Sequence, residues 1–236
     1  MPKIISVAST YATDVILDDK QNVLSVQPGG PLYFIERVFK EQKVENRLYH
    51  GDEAKVEIKL QNGEELGKIS NKLSKKTLSG LGKLDWLLVS SVLDEWIIDK
   101  NKINKLFLDI QGFVRVGKTY GKKHIWHLQN NFSENIYCIK GTEEEIKYLE
   151  PDFINKQKNK LLIITKGSNG SELFYKGKLY TFRLNKPLTL NNSVGAGDTF
   201  FAYFIAHLSK YNKPLLAMEF ATENTSNYLS KRTRLS

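Results

Sequence analysis

Short apolar runs recur along the chain, each closed by polar or small residues and most followed by a segment with apolar positions at helical spacing. Ile4-Ile5-Ser6-Val7-Ala8 predicts a buried first strand, and Trp86-Leu87-Leu88-Val89 predicts a second. Lys105-Leu106-Phe107-Leu108 predicts another, ending at Asp109, and residues 135–139 and 161–164 complete the expected core strands. A helix is expected to begin near Pro31 and continue through residues 36–43, and another to run through Glu95-Trp96-Ile97-Ile98. Strand and helix alternate for most of the length, which predicts an α/β protein with a mostly parallel sheet covered by helices. The carboxylate of Asp109 would stand at a strand's exit, where α/β proteins form ligand sites.

Two segments depart from this rhythm. Val15-Ile16-Leu17 and Val23-Leu24-Ser25-Val26 flank the polar run from Asp18 to Asn22, and Val56-Glu57-Ile58-Lys59-Leu60 runs into Asn62-Gly63, a strong hairpin signal. Both read as antiparallel ribbons, at about residues 15–27 and 55–69, placed to project from the sheet edge as a small lid. Such hairpins are also able to pair two copies of the chain, giving a homodimer.

The 236 residues, 41% hydrophobic and 26% charged, are enough for one substantial domain spanning 1–236. There is no leader-like start and no apolar run near membrane-spanning length, so no membrane association is expected. Cys138 is the only cysteine, which rules out an intrachain disulfide and points to a cytoplasmic location. The formal charge of +9 favours anionic partners. The lysines are scattered rather than set in a stripe interleaved with aromatics, which speaks against a nucleic-acid groove.

The densest chemistry lies in Ser193-Val194-Gly195-Ala196-Gly197-Asp198, a small-residue turn running into the apolar helix Thr199-Phe200-Phe201-Ala202-Tyr203-Phe204. The N–H groups of Gly195, Ala196 and Gly197, with the positive end of the helix, would form an anion hole, and Asp198 sits at its rim. A base beside such a hole suits a hydroxyl that loses its proton and attacks a phosphoryl group. The same residues also suit plain packing, because acidic residues favour first turns and glycines allow close approach.

Gly112-Phe113-Val114-Arg115-Val116-Gly117-Lys118-Thr119 matches the phosphate-loop spelling letter for letter. Its context does not: Tyr120-Gly121-Lys122-Lys123 is a poor helix start, and Val114 and Val116 prefer extended backbone. Thr142 and Glu145 have the spacing of a capping box. Thr165-Lys166-Gly167-Ser168-Asn169-Gly170 follows a strand, and its glycines allow a ligand close to the backbone. Gly29-Gly30-Pro31 opens a helix, serving either as a turn or as space for a small substrate.

In these segments the chain resembles the ribokinase-like (PfkB) carbohydrate kinases, whose signature D-T-x-G-A-G-D stands here as Asn192-Ser193-Val194-Gly195-Ala196-Gly197-Asp198. Asp14, the Gly29-Gly30 pair, the segment from Thr142 to Glu145 and Thr165-Lys166-Gly167 follow the family's other marks in order. The resemblance implies a three-layer α/β sandwich with a small β lid. It implies ATP and Mg2+ as cofactors and a small-molecule substrate. By it Asp198 is the base, with Gly195, Ala196 and Gly197 on the transferring phosphate. Asp14, Gly29, Gly30 and Arg115 contact substrate, and Thr165, Gly167, Gly170 and Ser193 line the nucleotide site. Glu145 holds magnesium through water. Asn192, Thr142 and Phe34 replace the family's usual Asp, Asn and Asn. The expected activity is ATP-dependent phosphorylation of a sugar, inositol or nucleoside hydroxyl. The alternatives are a catalytically silent sugar or nucleotide sensor and a phosphate-loop ATPase.

Overall fold

The computed structural model describes residues 3–18, 20–61, 64–78, 82–99, 102–128, 132–183 and 193–235. Asn192 and the Asn62-Gly63 turn lie outside them. In chain order the elements are β1 (Ile5–Ser9), β2 (Ala12–Leu17), β3 (Val23–Gly29), α1 (Gly30–Glu41), β4 (Asn46–His50), β5 (Ala54–Gln61), β6 (Glu64–Ile69) and β7 (Lys76–Thr77). Next come β8 (Leu84–Ser90), β9 (Trp96–Ile97), β10 (Ile103–Asp109), α2 (Gln111–Val114), α3 (Phe132–Asn135), β11 (Ile136–Thr142) and α4 (Glu143–Ile146). The chain closes with α5 (Pro151–Lys158), β12 (Leu161–Thr165), β13 (Ser171–Tyr175), β14 (Lys178–Phe182), α6 (Ala196–Tyr211) and α7 (Pro214–Leu235).

The main sheet has the order β14-β13-β12-β11-β10-β8-β1-β4. It is parallel from β4 to β12 and antiparallel at the β13 and β14 edge. Its inner strands β1, β8, β10, β11 and β12 are largely apolar on both faces because both are covered. Val7, Leu88, Phe107 and Ile163 face a core completed by α1, α6 and α7, while Ala8, Leu87, Leu106 and Leu162 face a second core with Phe113, Ile146 and Phe153. Three layers result. β1 lies between β4 and β8, so the strand order reverses there, and ligand crevices form at such switch points.

The two expected ribbons are present, but they join. β2 pairs antiparallel with β3, β5 with β6, and β2 runs parallel to β5, giving a second sheet of order β3-β2-β5-β6. Its apolar face, including Ile16, Val56 and Ile58, packs on Phe34, Val92 and Val194, which brings it beside the start of α6.

One expectation is corrected. Glu95 to Ile98 is not helical; Trp96–Ile97 is the short strand β9, paired with β7. The reason is Glu95, a buried carboxylate that accepts the Val92 and Leu93 N–H groups and the Thr10 hydroxyl, so its backbone is held extended. The phosphate-loop spelling forms no phosphate loop, as its context suggested: its first residues, Gly112 to Val114, lie in the helical turn α2, and Lys118 stands in an exposed turn with no helix behind it. Among the described residues no helix is long and apolar enough to cross a membrane.

Candidate active site

Helix α6 is buried along most of its length, so its N-terminal turn is fixed by packing rather than by helix propensity. Gly195, the N-cap, has φ +78, and a Cβ there would lie 2.2 Å from the ring of Phe34. Phe34 is thus the floor of the turn, an apolar support where a sugar contact was the family pattern. Arg232 on α7 donates to the Val194 carbonyl at 2.8 Å and ties the approach to the turn.

The backbone donors differ from expectation at one residue. The Ala196 N–H donates to the Ser193 carbonyl at 2.9 Å, so it is turned into the loop and drops out of the expected trio. Gly197 and Asp198 stand in the first helical turn, at the positive end of the helix dipole. Ser193 serves here through its carbonyl.

Asp198 stands in that first turn, and its Oδ1 accepts the Ser90 hydroxyl at 3.2 Å. Ser90 ends β8, opposite Asp109 at the end of β10, which is in turn opposite Lys140 on β11. Lys140 Nζ lies 2.7 Å from Asp109 Oδ2, both buried. Burial pulls the Lys140 ammonium toward deprotonation, but the carboxylates of Asp109, Asp198 and Glu145 outweigh it and hold its pKa above the ordinary 10.5. The sequence reading missed Ser90 and Lys140. The available signal was a lysine closing the otherwise apolar run Ile136-Tyr137-Cys138-Ile139.

Asp14 lies on the inward face of β2, buried, and a Cβ on Gly29 would overlap its Oδ2 at 1.8 Å. The glycine therefore makes room for the carboxylate. Gly30 has φ +76 and no space for a Cβ, which would meet the Thr10 carbonyl at 2.6 Å. These two glycines and Asp14 gather just beyond β1, at the strand-order reversal.

Arg115 donates from Nη1 to the Val92 carbonyl at 3.3 Å and reaches toward Gly67 of β6, so it bridges the main body and the second sheet. Thr165 ends β12 opposite Thr142, with its hydroxyl on the Gly141 carbonyl at 3.4 Å. Gly167 and Gly170 follow with φ +56 and +91, closing a tight turn with open space over Gly167. Glu145 completes the expected capping box: its Oε2 accepts the Thr142 N–H at 2.8 Å, and its own N–H goes to the Thr142 hydroxyl. Among the described residues no three His, Cys, Asp or Glu side chains cluster as a metal cage.

The sequence pattern of the pfkB family carbohydrate kinases matches residues 124–225, the part of the chain that holds Glu145, Thr165 and Asp198. No curated protein matches the chain. Among solved structures, a pyrophosphate-dependent kinase in the ribokinase family, complexed with a pyrophosphate analog and myo-inositol, superposes with TM-score 0.74 at 16% identity, over 96% of this chain and 95% of that one. Ribokinase from Thermotoga maritima gives 0.68 at 17% identity, over 94% and 91%. Arabidopsis thaliana ribokinase complexed with ribose and ATP gives 0.67 at 14%, over 98% and 93%. The fold is the ribokinase fold. The pfkB family pattern covers residues 124–225 of that fold, including the first turn of α6.

Proposed function

We propose that this protein is an ATP-dependent kinase, acting in the cytoplasm on one hydroxyl of a small polyhydroxylated molecule: a sugar, an inositol or a nucleoside. One observation carries the reading. A carboxylate held by Ser90 stands in the first turn of a buried helix, at the positive end of its dipole, over the carboxyl ends of a parallel sheet.

Asp198 takes the proton from the substrate hydroxyl as its oxygen attacks the γ-phosphorus. The bond to the β,γ-bridging oxygen breaks, and ADP leaves with that electron pair. The first turn of α6 at Gly197, with the helix dipole, faces the charge that builds on the phosphoryl oxygens. Asp14, beside Gly29 and Gly30, would take the substrate's other hydroxyls, with Arg115 closing from the second sheet. Thr165, Gly167, Gly170 and Ser193 would line the nucleotide.

Magnesium, when carried on the donor phosphates, supplies charge neutralisation. The donor set suits that role, since Mg2+ keeps several waters and takes one or two carboxylates besides phosphate. Glu145 would hold it through water, with Oε1, because Oε2 is engaged by the Thr142 N–H.

The exposed Val23, Leu24 and Val26 lie on β3, an edge strand of the second sheet, and support a homodimer through that sheet.

The test is turnover by purified protein with magnesium and ATP on a panel of sugars, inositols and nucleosides. Inorganic pyrophosphate is the second donor to supply, because the structure with TM-score 0.74 is of a kinase that uses it. Acceptor-dependent ADP formation is the expected result. No product on any acceptor with either donor would leave a binding protein and overturn the kinase reading.

A further inference from the structure

Lys140 stands where the transfer described above does not yet use it. Its side chain is 5% exposed and that of its partner Asp109 1%, at the ends of adjacent parallel strands. Stability does not account for the pair. A buried ion pair costs several kcal/mol per ion to dehydrate, and replacing it by well-packed apolar residues is often neutral or better.

Its location does account for it. A Cβ on Gly197 would lie 2.7 Å from Lys140 Nζ, so the ammonium touches the backbone of the first turn of α6, one residue before Asp198. The backbone of Gly197 is not in the left-handed region, unlike that of Gly195. A side chain at 197 would therefore have to displace the lysine ammonium beneath it. On the other side Ser90, in register with Asp109, reaches Asp198 at 3.2 Å. Ser90, Asp109 and Lys140 form one buried row under the catalytic turn.

We infer that Lys140 is the positioning residue of this site: clamped by Asp109, its ammonium fixes the first turn of α6 and holds the Asp198 carboxylate toward the incoming hydroxyl. The inference rests on the phosphotransfer reading. Lys140 gives up no proton and touches no substrate; it acts through Asp198 and Gly197.

Lys140→Met alone would leave Asp109 buried and unpaired, which by itself unfolds many proteins. The experiment therefore uses Asp109→Asn/Lys140→Met, which removes both charges and keeps the shapes. Expected is a folded protein whose kcat falls about 100-fold, as for a catalytic group displaced by about 1 Å, with the acceptor KM little changed. Lys140→Ala, purified and assayed in methylammonium so that Asp109 stays paired, should keep at least ~10-fold more turnover than the same folded protein in tetramethylammonium, as a positioned ammonium is worth in the barrier. A folded double variant with wild-type kcat overturns the inference and leaves the kinase reading standing. A loss that methylammonium does not relieve assigns Lys140 to packing and overturns it as well. A wild-type chain with no turnover on any acceptor overturns the kinase reading, and this inference with it.

Discussion

Gly195 is held from two sides, by a backbone conformation that L side chains avoid and by a phenyl ring where a Cβ would go. Gly195→Ala combines left-handed strain of about 1–2 kcal/mol with overpacking of about 1–3 kcal/mol. The expected outcome is a melting temperature lower by at least ~4 °C, since each kcal/mol moves a chain of this size by roughly 2–4 °C, together with lost turnover. Thermal melts and initial rates check it; unchanged values would remove Phe34 as the support of the turn. The Gly195 to Asp198 run was legible in the sequence because its parts are consecutive. Ser90 and Lys140 were not, because strand register alone brings them under α6. The Ala196 N–H was misplaced for a related reason: spacing does not reveal which carbonyl a turn offers to an amide.

Local devices read well at the scale of elements, and long-range ones did not. The Thr142–Glu145 capping box is complete within four consecutive residues, and the core strands announced themselves as apolar runs. The helix expected at Glu95 failed because its partner Thr10 is 85 positions away in the chain. Both ribbons were expected, yet the parallel pairing of β2 with β5 joins segments separated by α1 and β4. That pairing leaves β3 as an edge with Leu24 and Val26 two positions apart, on one face of the strand. If this edge joins two copies, Leu24→Lys/Val26→Lys gives a monomer, since charged residues protect sheet edges. Sedimentation of both proteins decides it; a wild-type monomer, or a variant that stays dimeric, removes β3 as the contact.

At the scale of the whole molecule, tyrosines among the described residues tie elements together by donating to carboxylates. These are Tyr11 to Glu36 at 2.7 Å, Tyr120 to Glu57 at 2.6 Å, and Tyr203 to Glu41 at 2.8 Å. Burial first, and the neighbouring carboxylate second, push each phenol from 10.0 up to about 12. Lys140 is shifted in the same direction. Between these values the folded chain holds protons that the unfolded chain has released, so stability falls as pH rises. Denaturant unfolding should show little change from these groups below pH 10 and a progressive loss between about 10 and 12. A flat profile through that window would contradict these contacts.

The central claim concerns Asp198, and acceptor-dependent turnover of wild type beside Asp198→Asn tests it most directly. The account predicts phosphorylated product with wild type and a kcat at least ~100-fold lower in the variant, as for loss of a general base, with nucleotide still bound. A folded Asp198→Asn protein that turns over like wild type would contradict it.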